Sequence, residues 1–270
     1  MHECQLTSKQ TGAWQRDGFF VVEGLLTGAE VELLGRIARA DGQLRADASI
    51  RDDGEGRSVS LRVRNELDDD IYSAIAHSRR IVSTMETLLE GEVYHYHHKL
   101  IFKDQHSGGA WVWHQDYGYW YDYACLFPLL ASCLIAVDPA TRSNGCLQVL
   151  AGSHQLGRID HGQVGDQTGA DAERVAKIEE QLENVSVELA AGDALFFHCN
   201  LLHRSDANTT SDPRWALICC YNAARNNPYR EVRHPRYTPL EVWDDERVLE
   251  VGQRHWSTLA ESCSQRAGET

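Results

Sequence analysis

Trp113-His114-Gln115-Asp116 sets an imidazole and a carboxylate two residues apart. Along extended chain, residues i and i+2 project to the same side, so His114 and Asp116 would face one cavity. A third ligand from another strand would complete a two-His, one-carboxylate face. The segment GDALFFHCNLLHRS offers two candidates, His198 and His203. Such a face, with positions left open, suits non-haem Fe(II) that activates dioxygen. The bland alternative for HxD is a hydrogen-bonded His–Asp pair at a strand end. Arg214 stands eleven residues past His203 and opens the apolar stretch WALICCY. A guanidinium inside a barrel needs an anionic partner, because an unpaired buried charge is costly. The distal carboxylate of 2-oxoglutarate would supply one through a bidentate contact. Trp111, Trp113, Tyr117, Tyr119, Trp120, Tyr121 and Tyr123 crowd around the HxD. Part of that wall packs a core, and part suits a substrate pocket.

These residues need a scaffold. The chain has 270 residues, 42 % of them hydrophobic, enough for one large core. Its 26 basic and 40 acidic side chains give a net charge of −14, the wrong sign for a nucleic-acid or anionic-membrane partner. No secretory signal pattern opens the sequence, and no run of about 18 apolar residues suggests a membrane span. The eight cysteines form no CxxC, and several lie in apolar runs, as expected for a reduced, cytoplasmic protein.

Thr7-Ser8-Lys9-Gln10 and Thr27-Gly28-Ala29-Glu30 both spell capping boxes, with FFVVE (19–23) as a strand between two helices. Residues 47–66, charged and Gly-containing, read as a mobile loop or a partly ordered entry segment, and 67–90 as a helix burying Ile71, Ile75, Val82, Met85 and Leu89. Strands are expected over 93–102, 131–138, 146–150, 185–190, 194–199 and 214–222, with turns at Asn144-Gly145 and Gly192-Asp193. A surface helix is expected over 171–183. Helices followed by many strands predict an α+β, mainly β domain: a sandwich or jelly roll with outer helices.

Taken together, WHQD, NGCLQVLAGSH and GDALFFHCNLLHRSDAN, with an Arg eleven residues past the last His, resemble the phytanoyl-CoA dioxygenase family. The resemblance is strongest over 93–222. It implies a double-stranded β-helix, or jelly roll, spanning residues 1–270 as a single domain. Within it, 1–90 would be a mostly helical flank, 91–225 the core and 226–270 a C-terminal extension. It implies that His114, Asp116 and His203 bind Fe(II), and that Arg214 holds the distal carboxylate of the cosubstrate 2-oxoglutarate. His198 becomes a structural neighbour, on the opposite strand phase by its odd separation from His203. Ser205 would sit on the face of His203 and hydrogen-bond the same carboxylate.

The stretch VYHYHHKLIFKDQHSGGAWVWHQDYGYW is similar to the ectoine hydroxylase and free-amino-acid hydroxylase branch of that family. By that likeness Lys99 and Trp111 border the 2-oxoglutarate pocket, and His97, Tyr117 and Trp120 border the substrate. The ectoine enzymes carry Ser where this chain has Gln115 and differ again at YDYACLFP, so ectoine itself is not the expected substrate.

The resemblance implies a dioxygenase that uses O2, releases succinate and CO2, and hydroxylates a small polar, zwitterionic, amino-acid-like molecule. A carboxylate ligand at Asp116 leaves no position for halide; desaturation and ring closure stay open. The alternatives are oxidative tailoring of a natural product, action on a CoA thioester through a basic cluster near Arg225 and Arg230, and a non-catalytic jelly-roll binder. A monomer or homodimer is expected.

Overall fold

The computed structural model describes residues 6–268 except 54, 55 and 107; Cys4 and the side chain of Cys263 lie outside what it describes. Both capping boxes form as spelled. Thr7 and Gln10 start α1 (Ser8–Asp17), and Thr27 and Glu30 start α2 (Gly28–Ala40). β1 (Phe19–Val22) runs between them, and a short α3 (Gly42–Ala46) follows.

Two expectations fail next. Residues 47–66 are not a loop but carry a hairpin, β2 (Ser49–Asp52) and β3 (Ser58–Arg64). In SVSLRVR the charged residues mask an alternation that buries Val59 and Leu61, and β3 pairs with β4 (Val93–Lys103). The helix expected over 67–90 is two: α4 (Ile71–His77) and α5 (Arg79–Leu88). Ser78 is extended (φ −63°, ψ 136°), and its hydroxyl donates to Ile75 O. Trp243 fills the break. Its carbonyl accepts from Arg79 N, and its ring stacks on His77 at 4.2 Å.

The other strands are β5 (Trp111–His114), β6 (Leu130–Ala136), β7 (Leu147–Leu150), β8 (His161–Val164) and β9 (Gln167–Ala170). After them come β10 (Asn184–Val187), β11 (Ala194–His198), β12 (His203–Ser205) and β13 (Arg214–Ala223). The remaining helices are α6 (Asp116–Trp120), α7 (Ala172–Glu179) and α8 (Arg247–Gly268). A seven-stranded sheet in the order β1-β11-β6-β13-β4-β3-β2 faces a four-stranded sheet β10-β7-β12-β5, all antiparallel, with β8-β9 as a separate hairpin. This is the expected jelly roll with outer helices.

The alternation along β13 shows why the sheet separates two cores. Trp215, Leu217, Cys219 and Tyr221 pack under α2, α4 and α5. Ala216, Ile218 and Cys220 face the interior between the sheets, and Arg214 shares their phase. On β4 the register slips at Tyr96, opposite the step from Cys220 to Tyr221. The extra residue of this bulge lets both Tyr96 and His97 meet Trp120. The C-terminal extension crosses back near the interior at His234 and ends in α8 against α2 and α4.

Candidate active site

His114 ends β5 and His203 begins β12, and the two are direct register partners, their ring centroids 4.1 Å apart. Gln115 continues the extended chain (φ −109°, ψ 135°), so Asp116, the first residue of α6, returns to the side of His114. One ligand atom from each of His114, Asp116 and His203 lies within 4.8 Å of the others. Both imidazoles are aimed the same way. His114 Nδ1 meets Val112 O at 2.8 Å and His203 Nδ1 meets Leu201 O at 2.9 Å. Each carbonyl can accept only an N–H, which leaves Nε2 as the free lone pair a metal requires.

The electrostatics agree. Burial, then His203, holds His114 well below the usual imidazole range, and burial likewise lowers His203, so both favour the neutral form. Burial alone would raise Asp116, but Lys99, His203 and His114 outweigh it and bring its carboxyl down to about 2. Lys99 Nζ is 3.8 Å from Asp116 Oδ1, the Tyr119 hydroxyl donates to the same oxygen, and Ser132 Oγ donates to Oδ2 at 3.3 Å. Two neutral nitrogens and one anionic oxygen on one face fit Fe(II).

The junction carrying Asp116 is clamped. The Gln115 amide donates to Gly157 O and Asn200 O at 2.8 and 2.7 Å, and its carbonyl accepts from Ile159 N at 2.7 Å. His161 Nε2 accepts from Gln115 N at 2.9 Å, and its ring lies so close to Gly118 that a Cβ there would overlap it. Gln115 therefore serves the backbone and does not line the cavity.

A cavity of about 620 Å³ opens from His114 and His203. Arg214 lines it and is fully buried; its Nε and Nη2 have no partner among the described residues. Burial lowers its pKa to about 10, so it still carries its charge at neutral pH. Ser205 lines the cavity beside it. Buried N–H donors without acceptors are rare in folded proteins, and here they mark the place of an anion. Behind Ser205 stands Lys103, which the sequence reading missed. Its Nζ donates to Ser205 Oγ at 2.8 Å and to Asp206 O. Burial, and then Arg214, presses that amine well below its ordinary pKa.

Lys99, Trp111, His97 and Trp120 all line the cavity. Three of them keep a buried polar atom unpartnered among the described residues: His97 Nδ1, Trp111 Nε1 and Trp120 Nε1. Tyr117 is a correction. It is buried outside the cavity lining, and its hydroxyl donates to Cys125 O at 3.1 Å, because the first turn of α6 points it into the packed interior. Tyr119, two residues on, faces the cavity in its place. His234, also missed, stacks on His97 with centroids 4.7 Å apart, and Arg233 beside it lies over Tyr123.

His198 stays outside the triad, but not for the reason of strand phase. It closes β11 in the large sheet, whereas His203 lies on β12 in the small one, so parity between them has no meaning. Its ring packs near Trp14 and His154, and its Nδ1 accepts from Asn200 N at 3.0 Å. Arg225 and Arg230 donate to Glu90 O and Asp122 O and do not reach the cavity lining.

The chain is 28 % identical over 236 residues to L-proline trans-4-hydroxylase of Streptomyces griseoviridis, covering 82 % of this chain and 88 % of that one. It is 30 % identical over 261 residues to the ectoine dioxygenase of Nocardia farcinica, covering 88 % and 85 %. The structure of EctD from S. alaskensis with 2-oxoglutarate and 5-hydroxyectoine shares the fold, with a TM-score of 0.75 at 23 % identity over 90 % of this chain and 89 % of that one. From inside α1 to the start of β13, residues 14–216 match the phytanoyl-CoA dioxygenase family, and the chain belongs to that family.

Proposed function

We propose that the protein is an Fe(II)- and 2-oxoglutarate-dependent dioxygenase that hydroxylates a small, zwitterionic, amino-acid-like molecule, with release of succinate and CO2. The observation that carries this reading is the His114–Asp116–His203 cluster, whose two imidazoles line the same cavity as a buried Arg214 with Nε and Nη2 unpartnered among the described residues. Bound there, Fe(II) and 2-oxoglutarate would supply the oxidising power from O2. His114 and His203 offer Nε2, and Asp116 offers a carboxylate that Tyr119, Ser132 and Lys99 hold in place. Arg214 and Ser205 would orient the distal carboxylate of the cosubstrate. Trp111, Tyr119, Trp120 and Phe197 wall the cavity and restrict water.

The substrate class rests on charge and on relatives. Arg51, Arg62, Lys99 and Arg233 line the cavity together with Asp47 and Asp166, so both signs are available to a zwitterion. The two relatives are named for proline and ectoine, which are compact and carry both charges. Arg225 and Arg230 lie outside the cavity lining and donate to backbone carbonyls, which gives no support to a CoA thioester. The six described cysteines are free and buried, which supports a reduced, cytoplasmic setting; no described helix is long and apolar enough to cross a membrane.

The test is a substrate library assayed for succinate release and for product one oxygen heavier. Amino acids and cyclic imino acids should give stoichiometric succinate and product. Coupled turnover confined to large polycyclic or thioester substrates would overturn the substrate class.

A further inference from the structure

Residues 14–216 carry the family match, but the cavity does not end there. Part of its wall comes from the chain beyond β13: Arg233 and His234 line it, with Asn65 from just past β3 and His97 from β4. His234 is buried, and its ring packs against His97, Tyr96 and Tyr123 at centroid distances of 4.7, 4.8 and 5.2 Å. The metal centre makes no use of this imidazole, so its place in the wall needs another account.

Its hydrogen bonds fix its tautomer. Asn65 Nδ2 donates to the carbonyl of Arg233 at 2.7 Å, and a carbonyl can only accept. The Asn65 amide therefore turns Oδ1 toward His234 Nδ1, 3.0 Å away. That oxygen also can only accept, so the ring proton sits on Nδ1. Burial, then Arg233 and Lys99, bring the imidazole down to about 4, which keeps it neutral at pH 7. In the neutral ring Nε2 is then a lone pair. Among the described residues only Nδ1 of this ring is hydrogen-bonded, so Nε2 is left for a ligand.

We infer that His234 is a specificity-determining residue: Nε2, held as an acceptor by Asn65, receives an N–H of the substrate's amine, so the cavity selects amino and imino acids over fully N-methylated betaines. The inference rests on the proposed reading of the substrate as a zwitterion and narrows it. A protonated primary or secondary amine has an N–H to give, whereas a quaternary ammonium carries the same charge and has none. A betaine would leave Nε2 unpaired and set methyl groups against it. A site built to hydrogen-bond a substrate group rejects the analogue that lacks it. The carboxylate of either class offsets the positive charge of Arg233 and Lys99 and suits the unpartnered Nε1–H of Trp120. Charge alone therefore does not separate the two classes, and the acceptor does.

The probes are the proteinogenic amino acids, each beside its fully N-methylated betaine. Binding is measured by anaerobic calorimetry on the protein loaded with Fe(II) and 2-oxoglutarate. The wild type should bind at least one amino acid on the order of ten-fold or more tighter than its betaine, the worth of a hydrogen bond to a charged group. His234→Phe keeps the ring packing and removes the acceptor. It should bring that amino acid down to the affinity of its betaine and leave the betaine nearly unchanged. Asn65→Leu frees the tautomer and should lower the same ratio part of the way. Iron content and 2-oxoglutarate affinity should stay at the wild-type level in both. A wild type that binds a betaine as tightly as its parent amino acid, or a wild-type ratio in His234→Phe, would overturn the inference alone. If His234→Phe does not fold, an unchanged ratio in Asn65→Leu overturns it too. A wild type that binds neither amino acids nor betaines would sink the underlying substrate reading, and this inference with it.

Discussion

At Trp120 the indole is completely buried, lines the cavity and finds no acceptor for Nε1–H among the described residues. An unmade buried hydrogen bond costs about 1–3 kcal/mol, which a substrate carbonyl or carboxylate would recover. Trp120→Phe keeps most of the packing and removes the donor. It should raise the substrate KM roughly five- to ten-fold and raise the ratio of succinate to product, with 2-oxoglutarate affinity unchanged. A wild-type KM and a ratio near one would make Trp120 a packing residue only. His114, Asp116 and Arg214 stand out in the sequence by residue type and spacing, whereas the choice of His203 over His198 needed the family resemblance. Lys103, Ser132 and His234 do not stand out. Each gains its role from a neighbour far along the chain: Ser205, Asp116 and His97. Tyr117 and Tyr119 differ only in their direction on one turn of α6, which composition cannot distinguish.

The ligand-bearing elements are short, and their shortness hid them. β5 has four residues and β12 three, and neither shows enough period to be read as a strand, yet their pairing sets His114 opposite His203. Longer strands such as β4 and β13 fell within a residue or two of their expected bounds, because β13 carries a continuous apolar run and β4 is rich in aromatic and branched residues. The bulge at Tyr96 and the hairpin β2–β3 escaped, since charge and a single extra residue blur the alternation. The α6 junction gives the prediction that belongs to this scale. A methyl on Gly118 would overlap His161, which accepts from Gln115 N and so fixes the strand-to-helix turn that delivers Asp116. Gly118→Ala should cost about 1–3 kcal/mol in stability, read as a lowered Tm, and should lower iron occupancy with it. Full iron loading at an unchanged Tm would show that the turn does not depend on that close approach.

Across the whole molecule, a chain with net charge −14 encloses a cavity lined by Arg51, Arg62, Lys99, Arg214 and Arg233. Repulsion between the protein as a whole and a dicarboxylate is thus reversed locally, where low dielectric strengthens each contact. The outer helices brace the large sheet from behind, through Ile37, Ile75, Ile81 and Met85 against Phe196, Leu217 and Cys219. That arrangement leaves the opposite face of the sheet free to build the site, and it accounts for His198 packing near α1 while His203 faces the cavity. The most direct test of the account is an anaerobic titration of Fe(II) and 2-oxoglutarate into the wild type, His198→Ala and His203→Ala, followed by the visible charge-transfer band and by iron content. The account predicts the band in the wild type and in folded His198→Ala, and its loss together with iron in His203→Ala. A band that survives in His203→Ala and disappears in His198→Ala would contradict it.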